Sequence, residues 1–248
     1  MSSSNKQLVL FAIAGGLFTA LILTGIVGNV VRGNYMAIPV VGAALLLAVG
    51  VIWLGIWLNQ RRIQIMFRSP TPDKLIANYH ATLLQARARK IPHADAAAAH
   101  LSALAAVIYG QFDVARQELA AVDWDDAPAM YRGHRLHMLA LIALLEKHDN
   151  AEALRLATEA QALERTDPAG SLPILHDAIV LAAGERDDET VKRVQKAADR
   201  KVGALPALSA WALSLHFDRV GPTSEGARYR ERVRAAAPYF VGLASGTA

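Results

Sequence analysis

Two long apolar stretches occupy the start of the chain. The first runs from Leu8 to Val31 and the second from Met36 to Leu58, and neither contains a charged side chain. As helices that rise 1.5 Å per residue, each would be roughly 35 Å long, which suffices to cross a hydrocarbon core of roughly 30 Å. The pattern therefore predicts two transmembrane helices, 8–31 and 36–58, joined by a turn at 32–35.

A different apolar pattern begins at Asp73. Apolar residues recur there at intervals of three and four, as Leu101, Leu104 and Ile108 do, and strand signals are absent. Such intervals place the apolar side chains on one face of a helix. We therefore expect an all-α protein in which a soluble helical domain follows the two transmembrane helices.

The breaks between the helices of this domain recur at a regular distance. Successive turns are separated by 38, 36 and 37 residues and are marked by Gly110, His148, Gly184 and Gly221. A period of this length, filled by two helices, is typical of a helical solenoid. The sequence thus predicts about four helix pairs within 73–238, followed by a flexible tail at 239–248.

Residues 59–72 connect the second apolar stretch to this domain. Three arginines, Arg61, Arg62 and Arg68, alternate there with apolar side chains. A simple stop-transfer flank is the default interpretation. The segment could also continue the second span as a helix, or lie at the lipid headgroups, where each basic residue gains roughly 1 kcal/mol from anionic lipid. Two prolines near its end then stop any helix and mark the domain boundary.

Basic residues near the apolar stretches predict the orientation in the membrane, since Lys and Arg are retained on the cytoplasmic side. Lys6 precedes the first stretch and the three arginines follow the second, whereas the turn contains Arg32 alone. We therefore expect a two-span protein of a bacterial inner membrane, with residues 1–7 and the helical domain in the cytoplasm. A cleaved signal peptide is the alternative for the first stretch, but its apolar region would be shorter, about 7–15 residues.

Small side chains recur every four residues along the first stretch. They are Ala12, Gly16, Ala20, Thr24 and Gly28. A row of this kind lets two helix backbones approach closely in lipid. We expect this row to pack either against the second span of the same chain or against a second copy of the chain in a homo-oligomer.

The charge of the chain is divided unevenly. The net charge is +4, but the part before Pro70 carries five basic and no acidic residues, so the remainder, with 26 − 5 = 21 basic and 22 acidic residues, is at −1. A near-neutral domain has no basic surface for DNA or RNA, and we expect no nucleic-acid partner. The absence of cysteine excludes disulfides, thiolate metal sites and a cysteine nucleophile.

The first break has a distinctive sequence, Gly110-Gln111-Phe112-Asp113-Val114-Ala115. This glycine, aromatic residue and alanine resemble the turn of a tetratricopeptide repeat, and the second unit keeps the alanine as Ala153. The resemblance covers about 94–238. It implies that Gly110, Phe112, Ala115 and Ala153 let paired helices pack closely, and that the domain binds protein partners.

Sequence motifs for catalysis or for a cofactor are not found. His134 and His137 lie one helical turn apart, but a metal site normally needs a third ligand, so we expect surface or partly buried structural histidines. Phosphate loops, nucleophile elbows and paired carboxylates at motif spacing are also missing. We expect no enzymatic activity, no cofactor and no metal.

The function that these patterns predict is that of a scaffold or adaptor. It would contact membrane lipid through its spans and bind partner proteins at the cytoplasmic membrane surface. The alternative is an accessory or regulatory subunit of a membrane enzyme or transport complex, in which the spans make the essential contacts.

Overall fold

The structure is a computed structural model that describes residues 37–166, 172–185, 187–199 and 204–243, without the side chains of 37–45, 56, 59, 60, 63 and 64. This part of the chain consists of helices and turns and contains no strand. The predicted all-α class is therefore confirmed. The predicted segments 1–7, 8–31 and 32–35 lie outside the described residues, and so does the row from Ala12 to Gly28.

The helices of the described residues are α1 (Ala37–Phe67), α2 (Asp73–Ala88), α3 (Ala94–Ile108), α4 (Phe112–Ala120), α5 (Ala129–Leu145), α6 (Asn150–Glu164), α7 (Pro173–Ala183), α8 (Asp188–Ala198), α9 (Ala204–Val220), α10 (Thr223–Ala236) and a 3₁₀ helix at Val241–Leu243. A search restricted to the same residues finds no helix that is long and apolar enough to cross a membrane. The chain divides into two compact units, 1–62 and 63–248.

The second unit is built from helix hairpins. Each of α3, α5, α7 and α9 packs against the helix that follows it, and these four helices also pack against one another in order. In addition α9 contacts α3, so the first and last of the four meet. We call α3, α5, α7 and α9 the inner helices. Their apolar side chains form the core of the unit, in which Val107, Met138, Ile179 and Leu208 are fully buried.

Local signals explain where the hairpins turn. Gly110 and Gly184 have φ of +72° and +119°, a backbone conformation that favours glycine. After α3, the Gln111 N–H donates to Ala106 O and the Gly110 N–H to Val107 O, which is the pairing of a Schellman motif. The second helices of the next two hairpins, α6 and α8, begin at side-chain caps, since Asp149 accepts from Glu152 N and Asp187 from Thr190 N.

The predicted linker at 59–72 is helical over most of its length. Helix α1 continues to Phe67, whose side chain is buried. The Tyr109 hydroxyl donates to the carbonyl oxygens of Met66 and Phe67, both at 3.2 Å. The last turn of α1 is therefore part of the second unit rather than of a separate linker, because these contacts attach it to the end of α3.

Of the predicted flexible tail at 239–248, the structure describes residues 239–243, and these are packed. Phe240 is buried, and its ring packs edge-on against Trp211 with the ring centroids 5.5 Å apart. Val241 lies beside Gly110, and the 3₁₀ helix contacts both α3 and α10. Residues 240–243 thus belong to the packed domain, because Phe240 is buried against Trp211 of α9 and Val241 and Leu243 are partly buried, whereas Tyr239 is 49% exposed.

Candidate functional site

A cluster of polar side chains is buried among the inner helices. It contains His100 of α3, His134 and His137 of α5, Glu164 of α6 and His176 of α7, and none of these residues is more than 8% exposed. We predicted surface or partly buried positions for His134 and His137. That prediction was wrong, because α5 packs against α3, α6 and α7 and its histidine face points into the domain.

Glu164 is the centre of this histidine–glutamate cluster. Its Oε1 lies 3.3 Å from His137 Nδ1 and 3.7 Å from His134 Nε2, and its Oε2 accepts from Leu172 N at 3.1 Å. Gly133 makes room for the carboxylate, since a Cβ at this position would come within 2.8 Å of Glu164 Cγ. One carboxylate oxygen therefore faces two imidazole nitrogens inside the core.

Burial determines the protonation behaviour of the cluster. Desolvation, helped by the charge of His134, lowers the pKa of His100 to about 3. Desolvation and the charge of His137 lower the pKa of His176. Burial alone would raise the pKa of Glu164, but the hydrogen bond and charge of His137 and the Leu172 N–H outweigh it, so the pKa lies below its usual value.

These side chains can hold little positive charge. A single carboxylate can balance one imidazolium, and a second buried cation would be uncompensated, which is costly in a low-dielectric interior. No three His, Cys, Asp or Glu side chains of the described residues are grouped so as to hold a metal ion. What the cluster can do is make the folding stability of the domain depend on pH, because its groups bind protons less readily in the folded state than in the unfolded chain.

A second feature, on the surface, is an open groove of about 560 Å³ between three helices. Its walls are α2 and α4, and its floor is α3. The floor presents Ala98 and Ala99, and Leu83, Leu84 and Val122 line the sides. Leu84 is 65% exposed and extends the apolar surface of the groove. The exposed surface of the groove is therefore mostly apolar.

The polar groups of this α2–α4 groove stand at its rim. His80 Nε2 lies 3.0 Å from Glu118 Oε2 and joins the two walls at one end. Arg87 of α2 donates to Asp95 of the floor helix at 2.8 Å. Of the ionisable side chains that line the groove, α2 therefore contributes His80 and Arg87, and α4 contributes Glu118.

The residues predicted to pack at the repeat turns lie near the ends of the hairpins. Gly110 is in the turn from α3 to α4, and Phe112 is the first residue of α4 and is half-buried. Ala115 of α4 and Ala153 of α6 are fully buried. The structure brings none of these into the groove or into the histidine–glutamate cluster.

The predicted basic residues of the linker lie on either side of the unit boundary. Arg61 and Arg62 are exposed in the first unit, and the Arg61 guanidinium lies 5.3 Å from the Trp57 ring centroid. Arg68 is in the second unit, where it donates to Ala235 O at 3.2 Å. They do not form a common site within either unit.

Sequence reasoning missed Glu164 and the groove. Glu164 follows Leu163 near the end of a polar helix, and nothing near it in sequence indicates that it faces inward. The groove is formed by three helices, and its local sequence signal is the apolar pair Leu83-Leu84 on α2.

Together these observations describe an all-α domain made of helix hairpins, with an open groove between α2, α3 and α4. No family model, curated protein or solved structure matches the chain. The function is therefore inferred from the residues themselves.

Proposed function

We propose that this chain is a membrane-anchored, non-catalytic scaffold whose tetratricopeptide-like helical domain binds partner proteins at the cytoplasmic membrane surface. The observation that carries the proposal is the open apolar α2–α4 groove with the exposed Leu84. Contiguous apolar surface that is open to solvent marks interaction sites in soluble domains. An anchor would raise the effective concentration of such a site near membrane partners without any further contact.

Two observations support the anchor. The stretches Leu8–Val31 and Met36–Leu58 contain no charged side chain. In the described part of α1, Leu46, Leu47 and Trp53 are 68–75% exposed. Large apolar side chains on a helix surface are stable when lipid rather than water surrounds them. Lys6, Arg61 and Arg62 favour a cytoplasmic position for both ends of the hairpin.

The hairpin arrangement supports the tetratricopeptide-like repeat. In the described part of the chain four hairpins follow one another; three have turns at 109–111, 146–149 and 221–222, and the third in order turns after Gly184. Consecutive inner helices pack together, as neighbouring units of a solenoid do. The contact between α3 and α9 departs from an open solenoid, since it brings the first unit against the fourth. We therefore assign partner binding to the α2–α4 groove rather than to a groove lined by the inner helices alone.

The proposal is tested by photo-crosslinking in native membranes. A benzoylphenylalanine residue is placed at Leu84, in the groove, and in a second variant at Val220, which is 44% exposed outside it. Carbonate-washed membranes should retain the chain, and only the Leu84 variant should crosslink to one defined protein. That protein, once purified, should bind the wild-type chain. Extraction by carbonate would disprove the anchor, and equal or absent crosslinks at the two positions would disprove binding in the groove.

A further inference from the structure

We propose that the α2–α4 groove binds an amphipathic helix of a partner protein, with acidic side chains along one edge of its apolar stripe and basic side chains along the other. This inference rests on the proposed function and adds the chemistry of the partner. It follows from the length of the groove, the size of its floor residues and the charges of its two walls.

The length of the groove fits a short helical stripe. Along α2 its lining extends from His80 to Arg87, which at 1.5 Å per residue is about 10 Å, or about two helical turns. A helix that lies parallel to the groove would place three side chains in it, at positions i, i+4 and i+7. An extended peptide would cover the same distance with about three residues, only alternate ones pointing toward the floor.

The residues of the floor are small, which leaves space above them for larger side chains of a partner. Ala98 and Ala99 end at Cβ, and Ala121 does the same at the α4 side. Leucine-sized side chains from a partner would fill the volume above these alanines and cover Leu84 at the same time. Removing this apolar surface from water stabilises the complex by roughly 25 cal/mol per Å².

The two walls differ in charge. On the α2 side the lining residue Arg87 is followed, beyond the lining, by Arg89 and Lys90, whereas on the α4 side the lining residue Glu118 is followed, past Val122 and beyond the lining, by Asp123. The α4 arginine, Arg116, pairs instead with Asp113 and Glu146. A helix in the groove therefore meets positive charge along one edge and negative charge along the other.

The ion pairs at the rim leave this charge available to a partner. The side chains of Arg87 and Asp95 are 59% and 49% exposed, and those of His80 and Glu118 are 48% and 20% exposed. An exposed pair such as Arg87–Asp95 contributes little to stability, about 0–1 kcal/mol, so a partner's charges can replace it. Turning a helix end for end exchanges its two edges. The oppositely charged walls therefore also select the direction in which the partner helix lies.

The test uses the full-length chain in phosphatidylcholine nanodiscs and four fluorescent peptides of about 16 residues. Three of the peptides carry a covalent staple, because a helix of this length is marginal in water without one. All share the leucine stripe at i, i+4 and i+7. One has an acidic and a basic edge, one has two acidic edges, one has two basic edges, and the last repeats the first with a central proline and no staple. Anisotropy should give the mixed-edge helix at least about tenfold tighter binding than the other three.

Substitutions locate the binding in the groove. Leu84→Asp should weaken binding of the mixed-edge helix by about tenfold or more, while Val220→Asp, a control at another exposed apolar residue, should not. Thermal unfolding checks that both variants stay folded. Equal affinity for the four peptides, or an unchanged affinity of Leu84→Asp, would overturn the inference. If the Leu84 crosslink described above persists in that case, only the partner chemistry is wrong; if the crosslink is also absent, the proposed function fails too.

Discussion

Gly110 combines a left-handed backbone with a close neighbour. Its φ is +72°, and a Cβ would lie 2.9 Å from Val241 Cγ2. Gly110→Ala should therefore lower the free energy of unfolding by about 1–3 kcal/mol, partly from backbone strain and partly from the clash with the C-terminal 3₁₀ helix. Urea unfolding of the full-length chain measures the change.

A second variant separates these two causes. Val241→Ala removes the side chain that the new Cβ would meet but leaves the backbone conformation of Gly110 as it is. The double variant should recover the steric part of the loss and keep the part that is due to strain. If the changes in unfolding free energy of the two single variants add strictly in the double variant, Val241 does not clash with a Cβ at position 110.

His100 makes the stability of the domain depend on pH. In the unfolded chain it binds a proton below about pH 6.5, whereas burial lowers its pKa in the folded domain to about 3. The unfolded state thus binds more protons between these values, and stability falls as the pH falls from about 6.5 toward 3. His176, whose pKa is also lowered, acts in the same direction.

The expected effect of this histidine is a slope of up to about 1.4 kcal/mol per pH unit in the unfolding free energy. His100→Gln should make the slope between pH 6.5 and 4 shallower by up to that amount, as measured by denaturant unfolding at several pH values. The control is His148→Gln, in an exposed turn outside the cluster. A slope that is the same in both variants and in the wild type would contradict the role of His100.

The packing of α4 against α3 depends on a small side chain. Ala115 is fully buried at this interface, whereas Ala97 on α3 is only half-buried. Ala115→Leu should cost about 1–3 kcal/mol by overpacking. Ala97→Leu should be nearly neutral, because Leu is almost as good a helix former as Ala. Equal melting temperatures of the two variants would show that the turn sequence at Gly110 does not govern the packing of this hairpin.

Glu164 contacts two neighbouring hairpins through a single side chain. It belongs to α6, faces two histidines of α5 and accepts the Leu172 N–H just before α7. Within the next hairpin, Arg193 Nε of α8 donates to Asp177 Oδ2 of α7 at 2.7 Å. Polar contacts thus join helices both between and within hairpins, in addition to the apolar core.

The proposed membrane orientation of the chain rests on the distribution of its basic residues. Reporter domains fused after Ala248 and inserted at 32–35 should lie in the cytoplasm and outside it, respectively, because Lys and Arg near the spans are retained inside. Activity of a periplasmic reporter and fluorescence of a cytoplasmic one measure the two positions. An external C-terminus would refute the orientation, and with it the cytoplasmic partners.

The helices and their turns depend on residues that are close in sequence. Apolar intervals of three and four indicated an all-α chain, and the glycines at 110 and 184 stand where the backbone takes a positive φ. Those patterns depend on side-chain direction and backbone conformation within a turn or two. They hold whatever the rest of the chain does, which is why the sequence was a reliable guide to them.

The candidate sites depend on parts of the chain that are far apart in sequence. Glu164 is 27 residues from His137, and the groove needs α2, α3 and α4 together. The contact between α3 and α9 and the burial of Phe240 are equally distant pairings. Each forms because packing all the helices buries the most apolar surface, and this free energy is summed over the whole domain. A short stretch of sequence cannot indicate a free energy that is summed over the whole domain. Only the tertiary structure therefore decides which polar groups are buried and which apolar side chains stay exposed.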